Sequence, residues 1–532
     1  MNISEHFKKD YWTRRIPLNS AIKQEVGGND YIASTKGGPN FRVLNLTQDD
    51  FLSELEPTAH EVNSEYMSTR PVYKPSDQKD EKGDPIFVID HYDEVETVAL
   101  GIQKCITMKK VSHYTADGFW IAREGGKQEC YEKIQSWKDR MGLNTAWTEL
   151  VDSVFSTGDG AIYLYNDGKN VEYQVFSYLK GDTLYPDIDE KGREVIYRRY
   201  KLKGVEMCDV FTPEKIQTWM HDQDDKPKNI IERLKSAINV TLGTKSEDGY
   251  TLIRETKSQT GDMQLFYFRV PDIPTGPAQL SIQALENALS YVSEEAKSSA
   301  FPILFLKAEK IVNLPPSDIN GKTIGIKGDS ESLAHSDGKF LAPPDASNIS
   351  KTQIDSLWNN IVRTTMSVFI EPEIFRTGLD SSAALKLLFT PEIQWAQNMW
   401  PYFNKGVRRM TETLKTLVGQ VEGNVTDYAD LRLSTGQNIW IPQNTKEQVE
   451  IETAQVYARL KSRKAALADL GNSHVDDYEQ IWKEWEEEVK MKAEIPAQVQ
   501  QEYGTSGNVE DDPNPDAPKI DKNDKGRTIV EN

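Results

Sequence analysis

The sequence predicts an α+β protein with a strand-rich first half and a second half built on long helices. Three observations predict this. From about residue 157 to 270, apolar and polar residues alternate in short runs broken by Asn/Asp-Gly turns, the period of half-buried strands. From residue 277 the period changes to steps of three and four, with Ile282, Leu285, Leu289, Val292 and Ala296 on one narrow seam. After that helix, residues 301–346 carry Pro-Pro pairs and glycines that favour strands and turns, and a second helix pattern follows. A chain of 532 residues, 38% hydrophobic and 27% charged, is globular and long enough for more than one structural unit.

Taken in order, residues 1–95 read as an irregular start with polar turns such as "YKPSDQKDEKGDP". A helix is expected over 133–156, and "TGDGAIYLYNDG" then turns into a short strand. The runs "VEYQVFSY", "REVIYRRYKL" and "EMCDVFT" continue as a β meander, and "GYTLIRET" with "MQLFYFRV" reads as a second β pair. The seam of the helix ending near residue 300 is narrow, which suits packing against neighbouring helices better than burial in a globular core. The next helix has Ser350 as N-cap and Ile354, Leu357, Trp358, Ile361, Val362 and Val368 on its apolar face.

"GLDSSAALKLLFTPEIQWAQNMWPYF" at 378–403 joins a Gly/Ser loop to a helix that is apolar or aromatic on several faces. Thr390, Pro391 and Glu392 read as N-cap, first-turn proline and first-turn acid, so the helix kinks or restarts there and runs on to about Val418. A turn and a strand ending at Pro442 follow, then helices over 445–490. From about 496 the tail has almost nothing to bury and is expected to be disordered.

A formal net charge of −20 argues against gripping nucleic acid through a basic patch. It is compatible with letting nucleic acid pass without holding it. Cys105, Cys130 and Cys208 are widely spaced and read as buried thiols rather than a disulfide framework or zinc site. There is no stretch of about 18 uncharged apolar residues, and the N-terminal segment lacks an apolar signal core. No membrane partner is expected, and a cytoplasmic start is.

Enzyme motifs fail on the residues they need. The Gly-Lys-Thr of "INGKTIG" has Pro316 five residues before Gly321, where a phosphate-binding loop needs glycine. "DIDEKG", from Asp187, has Lys191 and Arg198 where a calcium loop needs oxygen ligands, so a hairpin turn is expected. Asp222, Asp224 and Asp225 crowd one polar loop rather than converging from separate elements. His60-Glu61 is followed by Ser64 where a zinc protease has its second histidine, and no GxSxG occurs. No catalytic, cofactor or metal residues are assigned, and the protein is not expected to be an enzyme.

The order of parts resembles the portal proteins of tailed bacteriophages. "SVFSTGDGAIYLYND" is similar to the helix-to-strand Thr-Gly-Asp segment of the portal wing, and "SSAALKLLF" to the start of the long wing helix. "NIWIPQNTKEQVE" followed by "SRKAALADLG" resembles the strand, Pro-Asn turn and Ser-rich helix start near the portal C-terminus. The resemblance spans about residues 90–490.

It implies a portal fold: an N-terminal and wing region over 1–276, stem helices over 277–300 and 347–370, and a small α/β clip over 301–346. A tunnel loop over 371–383, the long wing helix and return strand over 384–445, a helical crown over 446–495 and the acidic tail over 496–532 complete it. It further implies a homododecameric ring at one capsid vertex, assembled in the host cytoplasm. Double-stranded DNA would be driven through it by the terminase and would leave by it. Major capsid protein or scaffold and a head-completion or adaptor protein would be its other partners. Arg376, Thr377, Gly378, Leu379, Asp380, Ser381 and Ser382 would face DNA, with Lys297 and Lys307 as channel-lining cations. The alternatives are another virion assembly protein, such as a head–tail adaptor or minor capsid protein, and a phage DNA-processing enzyme.

Overall fold

The computed structural model describes residues 3–7, 11–17, 32–33, 41–79, 85–116, 118–221, 246, 248–300, 303–308, 323–327, 337–341, 347–369, 382–437, 439, 445–458, 460–461, 466, 470, 483 and 486. The chain divides into two units, Met1–Pro442 and Gln443–Asn532. Among the described residues no helix is long and apolar enough to cross a membrane.

The first 95 residues are more regular than their composition suggests. Strands β1 (Trp12–Pro17), β2 (Ile32–Ala33) and β3 (Phe41–Leu46) form an antiparallel sheet in the order β1-β3-β2. Helix α1 (Gln48–Leu55) starts at a capping box, in which the Thr47 amide donates to the Asp50 carboxylate and the Asp50 amide to Thr47 Oγ1. After the short helix α2 (Glu65–Ser68), strands β4 (Thr69–Lys79) and β5 (Pro85–Glu94) pair antiparallel. Much of the expected turn "YKPSDQKDEKGDP" is therefore strand, with one register shift between Val72 and Tyr73 and another between Pro75 and Lys79.

Helix α3 (Ile102–Thr115) is absent from the sequence reading, and it leads into strand β6 (Phe119–Gly125). The helix expected over 133–156 is two helices, α4 (Gln128–Arg140) and α5 (Leu143–Thr157). Gly142 divides them at φ 67°, in the left-handed region that an L side chain disfavours. The expected meander is present as β7 (Asp159–Asn166), β8 (Val171–Phe176), β9 (Thr183–Ile188), β10 (Glu194–Leu202), β11 (Val205–Phe211) and β12 (Lys215–His221), although β12 had not been foreseen. "DIDEKG" is the β9–β10 hairpin turn: the Asp189 carboxylate accepts the Lys191 and Arg193 amides, and Gly192 takes φ 75°.

Strands β13 (Tyr250–Lys257) and β14 (Leu265–Arg269) do not pair with each other. β13 closes a five-stranded sheet in the order β13-β12-β11-β10-β9, and β14 joins β7 and β8.

The helical half comprises α6 (Gln279–Ala300), strands β15 (Ile303–Ala308), β16 (Thr323–Lys327) and β17 (Asp337–Leu341), and α7 (Ser347–Thr364). It continues with α8 (Ser382–Leu388), α9 (Thr390–Val421), α10 (Val425–Ala429) and β18 (Arg432–Gln437), which pairs with β6. Helix α7 begins three residues before Ser350, so Ser350 is helical and not the cap. The helix restarts after Phe389, as expected, but Thr390 is its first residue rather than its cap. Pro401 stands inside α9 and leaves the Gln397 carbonyl without its i+4 amide.

One face of α9 is buried in the core, while Tyr402 on another is 47% exposed. Phe403, Val407, Met410, Leu414 and Leu417 share one core with Trp147 and Phe155 of α5. Aromatic rings meet edge to face there, Phe155 with Trp395 at 5.2 Å and Trp147 with Phe403 at 5.5 Å. Cys130 and Cys208 are buried as expected, whereas Cys105 is exposed on α3. In the second unit, α11 (Thr445–Tyr457) matches the first of the expected helices. The strand end at Pro442, the loop with Asp222, Asp224 and Asp225, the Gly321-Lys322 turn with Pro316, and the 496–532 tail lie outside the described residues.

Candidate channel-forming elements

Helices α6 and α7 flank the small sheet β16-β15-β17, in which β15 runs parallel to β16 and antiparallel to β17. The start of α6 lies beside the end of α7. Asn360 Nδ2 donates to Ser281 Oγ at 2.7 Å, and Ile361 packs with Ala278, Ile282 and Leu285. Burial of the α6 seam fades along its length: Ile282 is 0% exposed and Leu285 3%, whereas Ala296 is exposed. Among the described residues, burial of the seam is complete at its root and only partial at Leu289 and Val292.

That root is tied to the N-terminal layer by buried polar contacts. His60 Nδ1 lies 2.7 Å from Glu286 Oε1, which also accepts the Leu100 amide at 2.8 Å. His60 Nε2 lies 3.0 Å from the Glu54 carbonyl, and Ser290 Oγ accepts the Val98 amide at 2.8 Å. Burial pulls the imidazole pKa down, but the Glu286 carboxylate and the Glu54 carbonyl outweigh it and raise it above its ordinary value. Nearby, Arg14 is held between Glu54 and Asp272. Burial lowers its pKa, and the two carboxylates more than reverse this.

A second polar cluster sits where α7 ends. Helix α3 contributes Lys109, Lys110 and His113, and α9 contributes Glu392, which is 2% exposed. Lys110 Nζ, fully buried, donates to the Met366 carbonyl at 2.7 Å and lies 4.7 Å from the Trp395 ring centroid. Glu392 Oε1 accepts the Val368 amide at 2.8 Å and pairs with Lys109 Nζ at 2.7 Å, while His113 Nε2 lies 3.6 Å from Oε2. Lys109 also covers the Phe369 ring, which packs on Trp358. Burial pushes the Lys110 ammonium down to about 8, opposed by Glu392 and aided by Lys109.

The Thr-Gly-Asp segment has a structural role. Gly158 ends α5 at φ 90°, and a Cβ there would stand 2.7 Å from the Trp12 indole. The Asp159 carboxylate accepts from Gln48 Nε2 at 2.6 Å and Tyr267 Oη at 2.9 Å, which joins α1 and β14 to the turn.

Of the residues singled out as facing DNA, Arg376, Thr377, Gly378, Leu379, Asp380 and Ser381 lie outside the described residues, and Ser382 opens α8. Lys297 is in the last turn of α6. Lys307 is on the central strand β15, in register with Ile326 and Asp337. Sequence reasoning missed Lys110, although its spacing from Ile106 and Tyr114 puts it on the buried face of α3. It weighed His60 only as a protease motif and Glu392 only as a first-turn acid. Their partners are remote in sequence.

The family described as phage portal protein, SPP1 Gp6-like, matches residues 57–494, and the chain belongs to that family. It is a family of structural portal proteins. No curated protein matches the chain. Among solved structures, the chain is similar to one from the virion of a native gene transfer agent particle, at 9% identity and a TM-score of 0.31, covering 69% of this chain and 89% of that one. It is also similar to one from the neck of an empty gene transfer agent particle computed with C6 symmetry, at 10% identity and 0.29, covering 69% and 88%. Similarity at this level settles nothing further, and the family assignment rests on the sequence match.

Proposed function

We propose that this portal-family chain assembles into a homododecameric ring at one vertex of a phage head. Double-stranded DNA enters through the ring, driven by the terminase, and leaves through it at ejection. The ring also meets the major capsid protein or scaffold and docks the head-completion or adaptor protein. In this reading residues 277–300 and 347–370 are the stem, 301–346 the clip and 371–383 the DNA-facing tunnel loop. Residues 384–445 join 1–276 as the wing, 446–495 are the crown, and the protein resides in the virion after assembly in the host cytoplasm. Its role is mechanical, with no cofactor and no catalytic residue.

The observation that carries this is the family match spanning the helix–sheet–helix unit and α9 together. The α6 seam supports it: among the described residues its burial declines from Ile282 to Ala296, and in a ring a neighbouring subunit would cover the outer part. Arg376, one cation per subunit, would touch a passing phosphate transiently. That suits passage better than retention, since affinity grows with the number of phosphates neutralised.

Negative-stain electron microscopy with native mass measurement tests it. Closed rings of about a dozen copies with a central hole are expected for a closed heterologous assembly. A chain that stays monomeric or dimeric, with scaffold present as well, would overturn the reading. An ATP hydrolysis assay on the same sample addresses the enzyme alternative.

A further inference from the structure

We propose that Lys110 and Glu392 are positioning residues of a sprung joint, which holds the exit of α7 in a strained turn and couples the α6–α7 pair to α9. The strain is visible in the backbone. Among the described residues two non-glycines have positive φ, Lys203 and Met366. Lys203 precedes Gly204 in the tight turn between β10 and β11, an ordinary place for it.

Met366, at φ 48°, is different. It ends α7 with the Met366 amide donating to the Arg363 carbonyl and the Ser367 amide to the Val362 carbonyl. Helix ends of this form favour glycine at the left-handed position. The Met366 side chain is 36% exposed, so packing does not explain why methionine stands there. A disfavoured conformation persists where its surroundings over-determine it.

Those surroundings are the second polar cluster. The Lys110 ammonium holds the strained residue's own carbonyl, at the negative end of the α7 dipole. Two residues on, the Glu392 carboxylate holds the Val368 amide, and Phe369 is wedged between Lys109 and Trp358. The clamp therefore reaches from α3 and α9 to one four-residue stretch. Glu392 stands at the start of α9, so a displacement of α9 against α7 pulls on the Val368 contact. If that contact opens, Met366 is free to leave the left-handed region and redirect the chain as it leaves α7. What the joint transmits rests on the channel reading above; the stored strain does not.

Hydrogen–deuterium exchange at the amides of Met366, Ser367 and Val368 tests the strain. Lys110→Met and Glu392→Gln are expected to speed exchange there several-fold while leaving Leu414–Val418 unchanged, and Lys110→Arg to retain protection. Met366→Gly is expected to act in the opposite sense: slower exchange at the turn, a melting temperature raised by about 1–2 °C, and restored protection in combination with Lys110→Met. If Met366→Gly leaves exchange unchanged or speeds it, no strain is stored and the proposal fails, whatever the lysine variant does.

The coupling is tested by DNA packaging into heads. A Met366→Gly ring that assembles normally is expected to package several-fold less DNA than wild type, despite its greater stability. Normal packaging by that ring would overturn the coupling. Failure of the wild type to form rings would overturn the channel reading instead, and the exchange experiment would still judge the joint.

Discussion

His60 has both ring nitrogens facing acceptors, the Glu286 carboxylate and the Glu54 carbonyl, so the folded state favours the imidazolium. A histidine whose folded pKa is raised stabilises fully below its unfolded value and loses that contribution as pH rises through the folded value. The melting temperature is therefore expected to fall as pH rises from the ordinary histidine range through the raised folded value, and His60→Gln to remove that dependence. The same substitution leaves Glu286 buried without its cation, an expected loss of about 3–5 kcal/mol in denaturant unfolding. A wild-type profile flat across that range would refute the assignment. Gly158 makes a second residue-scale case. An alanine there takes a left-handed φ, at a cost of about 1 kcal/mol. Its Cβ would also press on Trp12, which adds about 1–3 kcal/mol.

Helix α9 shows how an element can require a residue that its own propensity disfavours. Gly406 lies in its interior, where alanine would ordinarily stabilise by up to about 1 kcal/mol. A Cβ at that position would stand 2.3 Å from Phe268 Cε1 on β14, so the helix approaches the sheet through the missing side chain. Gly406→Ala is expected to destabilise by about 1–3 kcal/mol, with part of the loss recovered by Phe268→Leu in the same chain. Chemical denaturation of the single and double variants measures both. A stabilising Gly406→Ala would show that the contact relaxes at no cost. Pro401, in the same helix, removes one amide where Phe403 and Trp395 already anchor the core, so packing compensates for the missing hydrogen bond.

At the scale of the whole molecule, the proposed stem and clip assignments give the helix pair and the sheet between its ends separable roles. The root of α6 and α7 is packed by Ile106, Ile282, Leu285 and Ile361. Replacing residues 301–346 by a short Gly/Ser linker is therefore expected to leave rings intact by electron microscopy while abolishing co-sedimentation with terminase or adaptor. Loss of the rings themselves would make the sheet part of the assembly and would count against its assignment as the clip. The net charge of −20 predicts that salt changes passage of DNA little compared with its effect on a protein that grips phosphates.

The sequence by itself determined the two halves, the helix–sheet–helix order, the strands from β7 to β11 and the portal resemblance. Each depends on periodicity or on short segments, and burial of one face imposes those patterns locally. Gly142 and the α8–α9 break depend equally on local backbone preference, although the first was not read as a break. Tertiary structure alone decided that β13 and β14 belong to different sheets, because strand pairing is set by remote neighbours. It also decided that Lys110 is buried against a helix end, that Glu392 receives an amide from another segment, and that Met366 is left-handed. These are contacts between residues as many as 256 positions apart, and a local pattern carries no information about which partner will be met.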